Sequence, residues 1–353
     1  VLAVAMLLSA CSGGGSGGSA TPAPANSPAA STPAPGGNDP APAGDPVKIT
    51  FASYGSSAMP PAQGHYEAIK YITEKSGGTI EIDFIPDGVL GGESDVMQQI
   101  MDGTIQATEC SASSLNLFTT LTECFQLPFL ITDYETEQDA FSSPAAQAIY
   151  DKIAEDLGIK IISFSENGIR HFANNTRPIT CVDDLNGIKL RIAPSNMLTD
   201  AITRLGASPM TVGYNEVYSA LQNKVVDGEE INITSIYALK HYEQLDYISE
   251  IGMYPYPAFV ELNLDFWNSL SAEQQQIIQD GFDLGCEKVF NEYLPNYEEE
   301  ARTEIEKTGT AFNVIEGDAK QEFVDICTPI WEDYREKDPL IADFIAYVES
   351  LNK

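Results

Sequence analysis

Two arginines carry most of the chemistry that this sequence offers. Arg191 lies in a short apolar strand, where Ile188, Leu190 and Ile192 alternate with Lys189 and Arg191. That alternation puts the aliphatic side chains on one face and the cations on the other. A guanidinium is planar and always charged, and its fork fits a carboxylate in bidentate fashion. In a buried strand it needs a partner, because an unpaired buried charge is strongly destabilising. The partner is either a ligand carboxylate or one of the chain's own acids. Arg170 ends Asn167-Gly168-Ile169-Arg170, directly after a strand expected over 159–164. Ligands of open α/β sheets bind beyond the carboxyl ends of strands. Both arginines therefore stand where a ligand is expected. Arg170 could meet the same carboxylate, a second one, or an acid of the chain. Arg177 and Lys189 read as solvated or structural.

Enzyme chemistry has little to stand on. The three histidines, His65, His171 and His241, are isolated from one another. No GxSxG, HExxH, P-loop or GxGxxG pattern occurs. Carboxylate pairs are frequent in so acidic a chain, so Glu229-Glu230 is weak as an acid/base dyad. Glu230 reads as structural. No ligand set for a tight metal site is visible, and no cofactor is expected.

The elements that must position these arginines follow an α/β order. Val47, Ile49 and Phe51 share one face of a strand over 47–53. A helix over 60–76 closes on Gly77-Gly78. Ile80, Ile82 and Phe84 then alternate with Glu81 and Asp83 in a second strand. A third strand opens after Asp102-Gly103-Thr104-Ile105. Around Arg191, Ser195 caps a helix that stops at Gly206, and a strand follows over 208–212. Asn174 to Pro178 has the polar character of a domain crossing. Tyr254-Pro255-Tyr256-Pro257 reads as a stiff crossing back, because each proline fixes its own φ and restricts its neighbour. Ser271 and Gln274 form a capping box for a long helix. The remainder reads as helical and acidic.

The chain has 353 residues, with 19 Lys+Arg against 52 Asp+Glu, a net charge of −33. Before Lys48 the only charges are Asp39 and Asp45. The acidity argues against nucleic acid, whose phosphates need Lys and Arg. It also argues against broad docking on an anionic bilayer. An anionic ligand then requires a local positive site within a negative field.

Residues 1–10 are apolar and run into Cys11 through Leu8-Ser9-Ala10, the pattern of a bacterial lipoprotein signal. Cys11 is then acylated and becomes the first mature residue. Residues 11–46 are rich in Gly, Ser, Ala and Pro and form a tether without a core. The expected location is outside the cell membrane, held there by lipid alone, and the long tether fits a Gram-positive surface. Cys110, Cys124, Cys181, Cys286 and Cys327 show no CxxC; free thiols are the expectation, and no pairing can be read.

The stretch over 187–235 resembles the solute-binding proteins of TRAP transporters, the dicarboxylate-binding (DctP-like) family. The residues that carry the resemblance are Lys189-Leu190-Arg191, Gly206-Ala207-Ser208-Pro209, Glu216-Val217-Tyr218, Ala220-Leu221-Gln222, and Asp227-Gly228 with Glu230. The turn from Pro86 to Glu93 and the segment Leu127-Pro128-Phe129-Leu130 match as well, so the likeness runs from Val47 onward. It implies a two-domain, Venus-flytrap α/β fold of the periplasmic-binding-protein type, with crossing strands and a long helix spanning both domains. The domains would be 47–168 plus 257–296, and 169–256 plus 297–353, closing on a ligand by hinge motion.

The resemblance places the carboxylate-binding arginine at Arg191 and a second arginine at Arg170. It places an aromatic wall at Tyr214, where core packing is the alternative, and pocket hydroxyls at Ser111, Ser114 and Tyr54. Tyr254 and Tyr256, on the crossing, are further candidates to face the cleft. The family often has Asn after the Glu of its DG-x-E motif. Here that position is Ile231, and Asn232 comes one residue later, so the pocket is expected to differ there. The implied function is capture of a small organic anion by a monomer, and its delivery to a permease of one small and one large membrane subunit driven by an ion gradient. The alternatives are a binding protein for a sensor or another transporter, or an extracytoplasmic enzyme on the same fold.

Overall fold

A computed structural model describes residues 46–352. The signal over 1–10, Cys11 and the tether up to residue 45 lie outside the described residues. The strands are β1 (Val47–Ser53), β2 (Ile80–Ile85), β3 (Ala107–Ser111), β4 (Ile159–Glu166), β5 (Arg170–Asn174), β6 (Lys189–Ile192), β7 (Ser208–Thr211), β8 (Gly228–Asn232), β9 (Tyr247–Glu250), β10 (Pro257–Asn263) and β11 (Ala311–Val314). They form two sheets, ordered β2-β1-β3-β10-β4 and β11-β9-β5-β8-β6-β7. The first is parallel among β1, β2 and β3, with β10 antiparallel to both β3 and β4. In the second, β5 runs antiparallel to β8 and β9, while β6 is parallel to β7 and β8.

Helices cover the sheets. Helix Pro60–Lys75 crosses helix Ala272–Lys288 so closely that a Cβ on Gly285 would come within 2.6 Å of the Gly64 carbonyl oxygen. Ser271 and Gln274 make the expected capping box of the second helix. That helix continues through a widened turn, Val289–Tyr293, into helix Leu294–Glu306. Pro295 explains the turn. It has no N–H for the Asn291 carbonyl, and its ring crowds that carbonyl. The combined helix packs on β4 at one end and on helix Ile233–Ala238 at the other, spanning both sheets as expected. No described helix is long and apolar enough to cross a membrane.

Three expectations need correction. The crossing from the first sheet to the second is made by residues 167–169, not by Asn174 to Pro178, which lie beyond β5 within the second lobe. The acidic C-terminal region is not all helical, because Ala311–Val314 adds an edge strand beside β9. Helix Pro339–Leu351, expected with the second domain, packs against helices Tyr134–Phe141 and Pro144–Leu157. Its Phe344 ring lies 4.8 Å from Phe125 in an aromatic cluster with Phe141. All five described cysteines are free thiols.

The two crossings are laced together. Asn167 Nδ2 donates to the Tyr256 carbonyl at 3.0 Å, and the Arg170 N–H donates to Tyr254 O at 2.9 Å. Glu166 Oε1 accepts the N–H groups of Gly168 (2.6 Å) and Tyr256 (2.8 Å), one from each crossing. Its other oxygen and both oxygens of buried Glu137 find no N–H or O–H donor among the described residues. A proton held between the two carboxyls gives one oxygen of each a partner. Burial raises the Glu137 carboxyl well above the usual range and pushes Glu166 up to about 7.

The sign of the pH effect follows. Stability from a raised carboxyl is fully present below its ordinary value of 4.5 and is lost as pH rises through about 7. Buried His171 acts in the opposite sense. Its Nδ1 accepts the N–H groups of Ile251 and Gly252, and burial lowers it to about 3. Comparing a variant with wild type cancels that contribution. Glu166→Gln keeps an acceptor for both N–H groups. Its thermal midpoint relative to wild type is expected to be higher at about pH 8 than at about pH 5. An equal difference at both pH values contradicts the shared proton.

Candidate functional site

The two sheets bring several of the sequence candidates together. Tyr54 follows β1 and Ser111 ends β3. Arg191 sits in β6. Arg170 opens β5, which is antiparallel to β8, so it pairs with Asn232 at the carboxyl end of β8. Between the lobes lies a cavity of about 330 Å³, lined among others by Tyr54, Glu93, Ser114, Leu117, Pro194 and Tyr214. The rings of Tyr54 and Tyr214 meet edge to face, with centroids 5.3 Å apart. The Tyr214 hydroxyl lies 3.2 Å from both Ser235 Oγ and Met59 Sδ, within hydrogen-bond reach of each. Tyr54 is buried beside it.

Arg191 lies behind the cavity wall and is 2% exposed. Its Nε donates to the Val212 carbonyl at 2.9 Å, which fixes the fork. Among the described residues its terminal nitrogens have no hydrogen-bond acceptor and no carboxylate within ion-pair distance. Val212 directly precedes Gly213 and Tyr214 of the cavity lining, which places Arg191 against that wall, and its charge acts on the carboxyl of Glu93 and the hydroxyls of Tyr214 and Tyr256.

Arg170 is engaged otherwise. Its Nε and one terminal nitrogen grip the Glu230 carboxylate at 2.6 and 3.0 Å, and the same nitrogen donates to the Glu230 carbonyl. Its guanidinium carbon lies 4.1 Å from the centroid of the Tyr256 ring. Glu230 is structural, as expected. Tyr254 belongs to this pair and not to the cavity, because its hydroxyl donates to Glu230 Oε1 at 2.8 Å. Tyr256 reaches toward the cavity side, donating to Ser111 Oγ at 3.3 Å.

The residues after Asp227-Gly228 correct the expected pocket change. Gly228 is required by close approach, since a Cβ there would strike the Ala173 carbonyl and the side chain of Asn174. From Gly228 onward, strand alternation sends Glu230 and Asn232 to the Arg170 side and Glu229 and Ile231 to the other. Ile231 is fully buried and packs with Val217, Leu221 and Ile248, so it is not a pocket residue. Asn232 donates to the Asn167 carbonyl and to Thr234 Oγ1, and accepts from Arg170 at 3.4 Å. It braces the crossing. Glu229 pairs with buried His241 at 2.9 Å on the far face.

Glu93 was absent from the sequence candidates. It begins helix Glu93–Met101 and lines the cavity. Its Oε1 accepts both the N–H (3.0 Å) and the hydroxyl (2.5 Å) of Ser111. Burial raises its carboxyl above the ordinary range, while the Ser111 bonds and the charge of Arg191 oppose that rise. Ser114 donates to the Ser111 carbonyl at 2.6 Å and fixes that turn. The signal lay in the turn Leu90-Gly91-Gly92-Glu93, where a carboxylate opens a helix at the cleft. Among the described residues no group of three or more His, Cys, Asp or Glu is placed to hold a metal.

The sequence pattern of the bacterial extracellular solute-binding protein family 7 (DctP) matches residues 51–338. The chain belongs to this family. It is 28% identical over 302 residues to the C4-dicarboxylate-binding protein DctB of Bacillus subtilis, covering 84% of this chain and 85% of that one. It is 31% identical over 228 residues to the ectoine/5-hydroxyectoine-binding periplasmic protein UehA of Ruegeria pomeroyi, covering 63% and 66%. A TRAP periplasmic solute-binding protein from Anaerococcus prevotii, solved with bound D-glucuronate, superposes with a TM-score of 0.82 at 25% identity. That match covers 87% of this chain and 98% of the other. The expected TRAP family and the two-domain flytrap fold are borne out.

Proposed function

We propose that this DctP-family protein captures a small organic acid in the cleft between its sheets, with Arg191 binding the carboxylate. It then presents the loaded, closed form to a permease of one small and one large membrane subunit. It acts as a monomer, held outside the membrane through a lipid on Cys11. One observation carries the reading: in a chain with 52 acidic residues, a buried arginine at the cleft has no carboxylate partner among the described residues. A guanidinium taken out of water needs one, and a ligand carboxylate meets that need. The rings of Tyr54 and Tyr214 offer apolar walls with polar tips. The organic acids named for relatives of this chain agree with the reading.

A thermal-shift screen tests it. Carboxylates such as D-glucuronate, succinate and ectoine are compared with neutral sugars and divalent metals. At least one carboxylate is expected to raise the midpoint in proportion to the logarithm of its concentration. Stabilisation by neutral sugars or metals alone overturns the proposal.

A further inference from the structure

The cavity holds more carboxylate than guanidinium. Arg170 is spent on Glu230, which leaves Arg191 as the one arginine at the cleft without a protein carboxylate among the described residues. Glu93 faces the same space. Its Oε1 is occupied by Ser111, and its Oε2 makes no hydrogen bond among the described residues. Asp95 and Glu216 line the cavity as well and are exposed at its rim. The cavity lining thus carries three acidic side chains and no basic one.

A ligand that reaches Arg191 from this cavity has Glu93 in the same wall, within reach of the Arg191 charge. A second carboxylate there meets like charge at short range in a partly dry site, where repulsion is weakly screened. A hydroxyl or ammonium instead finds an acceptor at Oε2, in a charge-assisted hydrogen bond. We propose that Glu93 is a specificity-determining residue, selecting a monocarboxylate that carries hydrogen-bond donors and rejecting C4-dicarboxylates. Sugar acids and zwitterions share that chemistry. The selection works by repulsion as much as by attraction. This inference rests on Arg191 binding the carboxylate.

Calorimetry with D-glucuronate, ectoine and succinate on wild type and Glu93→Gln tests it. Gln retains an acceptor for Ser111 and removes the charge. Wild type is expected to bind D-glucuronate or ectoine at least about a hundredfold tighter than succinate. The better of those two identifies the donor as a hydroxyl or a cationic amidinium N–H. Glu93→Gln is expected to narrow the ratio by about tenfold or more, with succinate binding more tightly than before. Succinate binding wild type as tightly as the other two overturns the inference and leaves the organic-acid reading standing. An unchanged ratio in Glu93→Gln does the same. If Arg191→Ala leaves the binding of every acid unchanged, the underlying reading fails instead.

Discussion

Replacing Glu230 with alanine is expected to cost about 3–5 kcal/mol of folding stability, the usual result of removing one partner of a buried ion pair. Glu230 is fully buried, and Arg170 is 1% exposed. The substitution leaves a guanidinium in the interior with, among the described residues, only the backbone carbonyl of position 230 and Asn232 Oδ1 as acceptors. It also strips Tyr254 of its acceptor. The urea midpoint measures the loss, provided the slope of the transition is unchanged. Arg170→Met combined with Glu230→Leu is expected to recover most of it, because two apolar side chains leave no buried charge behind. If Glu230→Ala is neutral, Arg170 is not held by that carboxylate.

Arg191→Ala is expected to weaken the best-binding acid by about 2–5 kcal/mol, roughly thirtyfold to several-thousandfold. The contrast with Glu230 is informative. Among the described residues Arg191 has no carboxylate partner to orphan, and its one bond is to the Val212 carbonyl. Arg191→Met, which fills similar volume, is expected to leave the stability of the unliganded protein unchanged or higher. A large loss of stability with unchanged affinity would make Arg191 a structural residue.

Strand alternation, glycine and proline punctuation and the capping box at Ser271 made most of the fold readable, because each is a local signal. Asn174 to Pro178 reads as a crossing because it looks like Asn167-Gly168-Ile169 in polarity. What separates them is the lacing to Tyr254 and Tyr256, 84 to 89 residues away. β11 went unseen because four residues between two helices leave little period to read. At the site, Arg191 was legible as a cation in an apolar strand. The engagement of Arg170 was not, since Glu230 is 60 residues distant and reaches it only through the β5–β8 register. Ile231 was misjudged because the one-residue offset after Glu230 turns it into the core. Glu93 was quoted only as part of a turn, and its role depends on Ser111, 18 residues on.

The central claim is a carboxylate held by Arg191, and the ligand can test it as directly as the protein. The best-binding acid and its neutral primary amide are titrated calorimetrically into wild type and Arg191→Ala. The acid is expected to bind wild type at least about a hundredfold tighter than the amide, within the range of a buried charged pair. That advantage is expected to vanish in Arg191→Ala. Equal binding of acid and amide to wild type, or an advantage that survives the substitution, contradicts the account.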